Sequence, residues 1–355
     1  MVKSIGIDVG KKRCRASIKD ERGAVLSEFF FSNDRAGIQC LLSEASRHGE
    51  ARAVVESTGN MWIRIHDVLE ENGIDTVLAH PLKTRMIAEA RIKSDKLDSR
   101  VLADLLRGDL VCESYVPSKE FREKRSLVRH RAALVKARTS IENRVHALLD
   151  RYEYCCEFSD MFGKAGREWL RSLELSHIDR VIMDTSLAAV ESINAQIGIV
   201  SGEIARYAWD SDDVKILLSM NGVDVFSAMV ITTEIVNIAR FATSWKLVSY
   251  AGLAPGCRES AGKMRRGRIT KAGSRWLRWV MVQCARQAVR RDGRFKAYYE
   301  RIKSRKGDAK AIVAVAKEML VVVWYMLSKR EVYRGVDEEL YRRKLAKLER
   351  LSLRA

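Results

Sequence analysis

The spacing of apolar residues changes once along this chain, and that change constrains its fold more than any other feature. Up to about residue 115 the apolar residues alternate in short runs. SIGIDVG, CRASIKD and AVLSEFFF within residues 3–31 read as three strands, with a turn at Glu21-Arg22-Gly23. A helix over Ala36–His48, a strand at ARAVVES (51–57), a helix at Trp62–Asn72 and a strand DTVLAH before Pro81 follow. Strands alternating with helices give a mixed α/β domain. Lys96–Arg107 then shows the i, i+4, i+5 spacing of an amphipathic helix, through Leu97, Val101, Leu102, Leu105 and Leu106.

Beyond Ser118 the period becomes helical. Residues 119–152 and 181–208 contain no proline and intersperse charges with apolar residues, which predicts two long helices forming an antiparallel coiled-coil arm around a loop at 155–165. A compact, mostly helical region is expected from Asp212. The expected divisions are 1–115, 116–210 for the arm, 211–330 for the helical domain, and 331–355 as a charged peripheral tail. The run Met319–Leu327 is too short to span a bilayer and reads as part of a buried helix over 309–328, so no membrane partner is expected.

Charge narrows the class of partner. The 64 Lys and Arg exceed the 46 acids, a formal net charge of +18. Between Arg258 and Lys310 stand 18 basic residues and only four acids, so most of the excess sits in one stretch. Such a concentration points to a polyanion, and nucleic acid is the commonest. The seven cysteines show no C-x-x-C spacing and the six histidines do not cluster with them, which argues against structural zinc. Thiols without a framework fit a reducing cytoplasm, and the N-terminus lacks an apolar signal core.

Four carboxylates form the first candidate site. Asp8 sits in a β-branched apolar strand, where a charge is costly unless something uses it, and Gly6 and Gly10 beside it permit close approach of a ligand or backbone. Glu56 ends the apolar run ARAVVES. Asp95 and Asp98, three apart, are placed on one face of a helix's first turn. Carboxylates from two strand ends and one helix start suit hard cations in a two-metal phosphoryl-transfer site. Taken singly, Asp95 and Asp98 equally suit helix capping and Glu56 a surface strand end.

The order strand-Asp, hairpin, strand-Glu, helix-Asp resembles an RNase H-like (RuvC-like, Holliday-resolvase-like) nuclease fold. GIDVGKK, VVESTG and KSDKLDSRVLADLL resemble the three blocks of the DEDD transposases of the insertion-sequence one-ten family. Near the C-terminus, Ser249–Gly256 with its GLAP block, Glu259-Ser260-Ala261-Gly262-Lys263, the GRITK-x-G block over 267–273 and Leu277-Arg278 resemble that family's C-terminal transposase domain. The resemblance implies that Asp8, Glu56, Asp95 and Asp98 bind Mg²⁺, that Ser260 is a nucleophile joining covalently to DNA, and that a non-coding bridge RNA guides donor and target DNA. It also implies a bacterial, nucleoid-associated protein.

From the residues alone, Ser260 reads better as a polar loop residue beside a phosphate-binding patch, and it is the resemblance that reverses this. Lys11, Lys12, Lys263, Arg265, Arg266, Arg268, Lys271, Arg275 and Arg278 are the candidate nucleic-acid contacts. Trp276 and Trp279 suit a core better than a base-stacking platform. Asn221-Gly222-Val223-Asp224 departs from the family's P-G-I-G loop, which puts DNA contact there in question. The arm suits a homodimer that becomes a tetramer on nucleic acid. Two other functions stay open: a structure-selective nuclease using water in place of Ser260, and a non-catalytic binding protein on a dead nuclease fold.

Overall fold

The structure, a computed structural model, describes residues 2–57, 59–91, 98–260 and 263–353. It divides into two compact units, Met1–Val116 and Pro117–Ala355.

In the first unit, β1 (Lys3–Asp8), β2 (Arg13–Lys19) and β3 (Val25–Ser32) form an antiparallel meander. After α1 (Arg35–Arg47), β4 (Ala51–Glu56) pairs parallel to β1. After α2 (Trp62–Glu71), β5 (Asp75–Ala79) pairs parallel to β4. Then come α3 (Pro81–Arg91), α4 (Ser99–Arg107) and β6 (Glu113–Ser114), the last pairing antiparallel to β5. The sheet order is β3-β2-β1-β4-β5-β6. Such a mixed six-stranded sheet is consistent with the RNase H-like expectation.

Alternation assigns each face. Ile5, Ile7, Ala16, Ile18, Ala53, Val55 and Leu78 share a buried cluster with Ile38 and Leu41 of α1 and Ile65 and Leu69 of α2. On the opposite face Val54, Val77 and Ala79 pack against Leu102 and Leu106 of α4, and α3 adds Ala88 beside Val101 and Leu105. Sequence reading missed α3, which among its described residues has a single fully buried apolar anchor, Ala88.

Gly6 fixes how closely α4 approaches. A Cβ there would lie 2.0 Å from the Ser99 carbonyl oxygen and 2.5 Å from the Ala103 nitrogen. Helix backbone rests directly on strand backbone, and neither can yield as a flexible side chain would. Gly6→Ala is therefore expected to cost about 3 kcal/mol or more, the scale of overpacking in a rigid core. A urea titration that follows unit 1 should show a clearly lower midpoint, and an unchanged midpoint would contradict this packing.

In the second unit, α5 (Lys119–Asp150) and α7 (His177–Trp209) pack antiparallel. The direction is set by pairs at opposite ends: Arg151 with Asp179 at 2.8 Å, Arg138 with Asn194 at 2.9 Å and Arg131 with Ser201 at 2.8 Å. The loop expected at 155–165 is present over 155–163, but the connection continues beyond it. It carries α6 (Lys164–Ser172), whose Leu170 closes a small core with Val145, Leu148, Leu149, Met183 and Leu187.

The remaining helices are α8 (Asp212–Leu218), α9 (Val225–Ile235), α10 (Ser244–Tyr250), α11 (Arg275–Arg291), α12 (Gly293–Lys306), α13 (Asp308–Lys329) and α14 (Glu338–Ser352). Between α10 and α11 stands an antiparallel hairpin, β7 (Pro255–Ser260) and β8 (Lys263–Ile269). Helix α13 is long and apolar enough to cross a membrane by length and composition. Ala311, Ile312, Val315, Ala316, Met319, Leu320, Val323, Met326 and Leu327 instead line one stripe of it inside the unit's core.

The charged C-terminal segment is not peripheral. Leu348 and Tyr333 are buried, and the Lys344 amine donates at 2.8 Å to the Leu218 and Met220 carbonyls at the end of α8. A few apolar anchors among many charges suffice to dock a helix, which a composition average conceals.

Candidate active site: an acidic sheet end and a basic hairpin

Asp8 and Glu56 end the adjacent parallel strands β1 and β4, whose last paired residues are Ile7 and Val55. By alternation both lie on the face of Gly6 and Val54, the face that α4 covers. Helix α4 runs antiparallel to β1. Its Ser99 and Ala103 lie over Gly6, while Asp104 reaches Lys19, the cross-strand partner of Ser4, at 2.6 Å. The helix start is therefore at the Asp8 end of the strand.

Asp98 caps that start, accepting from the Val101 amide at 2.9 Å. This corrects the expectation that Asp95 and Asp98 share a first helical turn: the helix begins only at Ser99, and Asp95 lies outside the described residues. The sheet and α4 thus bring Asp8, Glu56 and Asp98 to one end of one face. Among the described residues no group of three or more His, Cys, Asp or Glu stands ready to hold a metal ion. The donor chemistry, carboxylate oxygens alone, fits a hard cation such as Mg²⁺ rather than zinc.

Cations surround these acids. Lys11 and Lys12 are exposed on the β1–β2 turn. That turn is stiff: a Cβ at Gly10 would lie 2.2 Å from the Arg13 carbonyl, and the Asn33 side chain donates to the Gly10 carbonyl at 3.0 Å. Arg15, the cross-strand partner of Asp8, pairs with Glu28 at 2.6 Å, and Arg100 of α4 pairs with the same carboxylate. The Arg100 guanidinium, with Arg15 behind it, holds the Glu28 carboxyl below the usual carboxylate range. Burial, with the Asp8 charge adding to it, pushes the neighbouring Cys14 thiol up, so Cys14 is a poor nucleophile.

In the second unit Ser260 is the last residue of β7, paired with Lys263 across the hairpin. Arg265 pairs with Arg258 and Arg266 with Cys257. The segment expected as a flexible loop is thus a two-stranded ribbon, with residues 261 and 262 at its tip outside the described residues. Arg268, Lys271 and Arg275 are exposed. Arg278 donates at 2.8 Å to the Ala251 carbonyl, tying α11 to the turn after α10.

The base of the ribbon is braced by glycines in left-handed conformations. Gly252 has φ +66 and would place a Cβ 2.4 Å from the Ala272 carbonyl; Gly273 has φ +91 and would place one 2.1 Å from the Tyr250 carbonyl. Two chain segments cross there in contact, which explains why the GLAP and GRITK-x-G blocks each carry glycine.

A buried acid that sequence reading missed anchors this base. Glu234, 2% exposed, accepts from Arg129 at 2.6 Å and from the Ser274 hydroxyl at 2.9 Å. Ser274 in turn caps α11, and Arg125 holds the Thr233 carbonyl. The signal was a lone carboxylate inside the apolar run VFSAMVITTEI, which must find partners once buried.

One of the sequence motifs takes an internal role and another is split. Gly222, at φ +86, would place a Cβ 2.5 Å from the Cys284 carbonyl of α11, and Asn221 bonds Asp292 at 3.1 Å. Asp224 caps α9. The Asn221–Asp224 loop therefore packs inward against α11. Trp276 packs partly against the core, whereas Trp279 remains 40% exposed beside Phe226.

Comparisons with known families reach both units. Residues 5–153 match the IS110-type DEDD family described as "Transposase", and residues 214–300 match "Transposase IS116/IS110/IS902 family". The chain belongs to the IS110/IS116 family of insertion-sequence transposases. It is 25% identical over 335 residues to the y4qE protein of Sinorhizobium fredii, covering 92% of this chain and 82% of the relative. It is 23% identical over 349 residues to the transposase for insertion sequence element IS1111A of Coxiella burnetii, covering 94% and 92%. A similar match, 23% over 346 residues, is to the transposase for IS1328 of Yersinia enterocolitica, covering 93% and 98%. Transposases act on DNA, so DNA is the substrate class.

Proposed function

We propose that this transposase cuts and rejoins DNA strands through Ser260, assisted by an Mg²⁺-binding acidic site of Asp8, Glu56, Asp95 and Asp98. The observation that carries the reading is that Asp8 and Glu56 end neighbouring strands on the face covered by the helix that Asp98 caps, in a chain whose basic ribbon has Ser260 at a strand end. When bound, Mg²⁺ would supply positive charge against the developing negative charge on phosphate oxygens. Asp8 and Glu56 would hold it, with Asp98 and Asp95 completing the oxygen set.

In the proposed step the Ser260 Oγ forms a bond to phosphorus while one phosphate ester bond breaks. The serine proton passes to the departing oxygen, which leaves as a free hydroxyl. Rejoining is the reverse, a strand-end hydroxyl displacing Ser260. Lys263, Arg265, Arg266 and Arg268 would stabilise the crowded phosphate charge, and Lys271, Arg275 and Arg278 would help hold the backbone. The family supports a bridge RNA joining donor and target. The α5–α7 pair, with Ile178, Val181 and Ile182 exposed on α7, supports a homodimer that assembles to a tetramer on nucleic acid.

The test uses the full chain, two plasmids bearing the element's junction and target, the element's non-coding transcript, and Mg²⁺. Rejoined products are expected with Mg²⁺ and none with a chelator in its place. Cleaved ends that are never rejoined would instead support a nuclease using water.

A further inference from the structure

One row of side chains crosses the sheet from the acidic end to the open edge. Asp8 on β1 faces Arg15 on β2, and Arg15 faces Phe30 on β3, each as a direct cross-strand pair. The three share a face, and β3 is one of the sheet's two edge strands. Neighbouring strands lie about 4.8 Å apart, so Phe30 stands about 10 Å from Asp8. That span is about three base rises of 3.4 Å along a nucleic-acid strand.

The edge end of the row is an aromatic and cationic surface. Phe30 is 52% exposed, flanked along β3 by Phe29 and Phe31 and opposite Arg15 across the sheet. The Arg13 guanidinium carbon stands 3.8 Å from its ring centroid, and that of Arg15 stands 5.4 Å away. Arg13 forms no ion pair with a described carboxylate, and Lys11 and Lys12 are exposed one turn away. The stiff Gly10 turn holds these cations in register with the strand ends. Helix α4 runs from Gly6 away from the Asp8 end, and its Arg100 reaches the Glu28 carboxylate that Arg15 also holds.

We infer that Phe30, with Arg13 stacked on it, is a nucleobase-stacking site for an unpaired strand whose backbone leads over Arg15 to the acidic site. An exposed ring and a planar guanidinium both offer flat faces to a base, and stacking of this kind is tolerant of sequence. The inference rests on the proposed acidic site only for where the strand leads, not for the stacking itself. The ligand chemistry, an unpaired base, is shared by single-stranded DNA and RNA.

The test is equilibrium binding of the full-length protein, in chelator so that no strand is cut. The probes are short single strands carrying 2-aminopurine, in DNA and RNA versions, and the matching duplexes. Wild-type protein is expected to quench single-strand fluorescence on binding and to leave duplexes unquenched. Phe30→Ala should lose the quench and bind single strands about tenfold more weakly, and Phe30→Trp should keep both. Arg13→Gln should weaken binding and lower the salt dependence by about one unit. Loss of quench in the DNA arm, the RNA arm or both supports the site and names its source. Phe30→Ala that quenches and binds like wild type in both arms would overturn it. Since nothing is cleaved, failure of the recombination reading would leave this readout untouched.

Discussion

Asp8→Asn is expected to reduce strand exchange by at least about a thousandfold while leaving the protein folded and bound to DNA. The carboxylate ends β1 beside Glu56, under the start of a helix capped by Asp98. An amide keeps the shape but loses the charge that would hold a divalent cation. Charge stabilisation worth several kcal/mol in the transition state corresponds to about 10³ in rate at 1.36 kcal/mol per tenfold. Stability should move the other way, if at all. Removing one of several neighbouring negative charges relieves repulsion, and Ile5, Ile7 and Gly6, which pack β1, are untouched. The checks are recombination rate, melting temperature and DNA affinity on one preparation. A variant that retains near wild-type exchange would remove Asp8 from the site.

Ser260→Ala should have the second large effect, and of a different kind. Deleting a nucleophile removes a covalent route altogether, so exchange should fall by at least about 10⁴-fold. Binding should survive, because the serine carries no charge and the slope of affinity against salt counts cations. The ribbon should also survive, since its pairing runs through backbone from Pro255–Ile269 to Ser260–Lys263. A protein–DNA species resistant to denaturant should form with wild type and be absent with the variant. Efficient exchange by Ser260→Ala would assign attack to another group.

What could be foreseen from the residues, and what could not, follows physical lines. The strands of unit 1 were legible because β-branched alternation and bounding glycines act locally, as in Ile5-Gly6-Ile7-Asp8. The long helices were legible from spacing and the absence of proline. The β7–β8 ribbon was not. Its residues are mostly cations and glycines with no apolar alternation, and its pairing depends on the Gly252 and Gly273 crossings. The helix start at Ser99 was misplaced because Asp95 and Asp98 are both good caps by residue type, and the structure places Asp98 at the cap of α4. The Asp8–Arg15–Phe30 row could not be read at all, since it exists only through strand register. Glu234 could have been found, as a charge stranded in an apolar helix.

The central claim is that the N-terminal acids and the C-terminal serine serve one reaction. Its most direct measurement is mass-spectrometric mapping of the protein–DNA adduct, made in Mg²⁺ and in chelator with the full chain and its DNA. The account predicts a nucleotide-linked peptide containing Ser260 in Mg²⁺, and a yield near zero in chelator and in Asp8→Asn. An adduct on another residue, or one formed equally well without the metal or without Asp8, would contradict it.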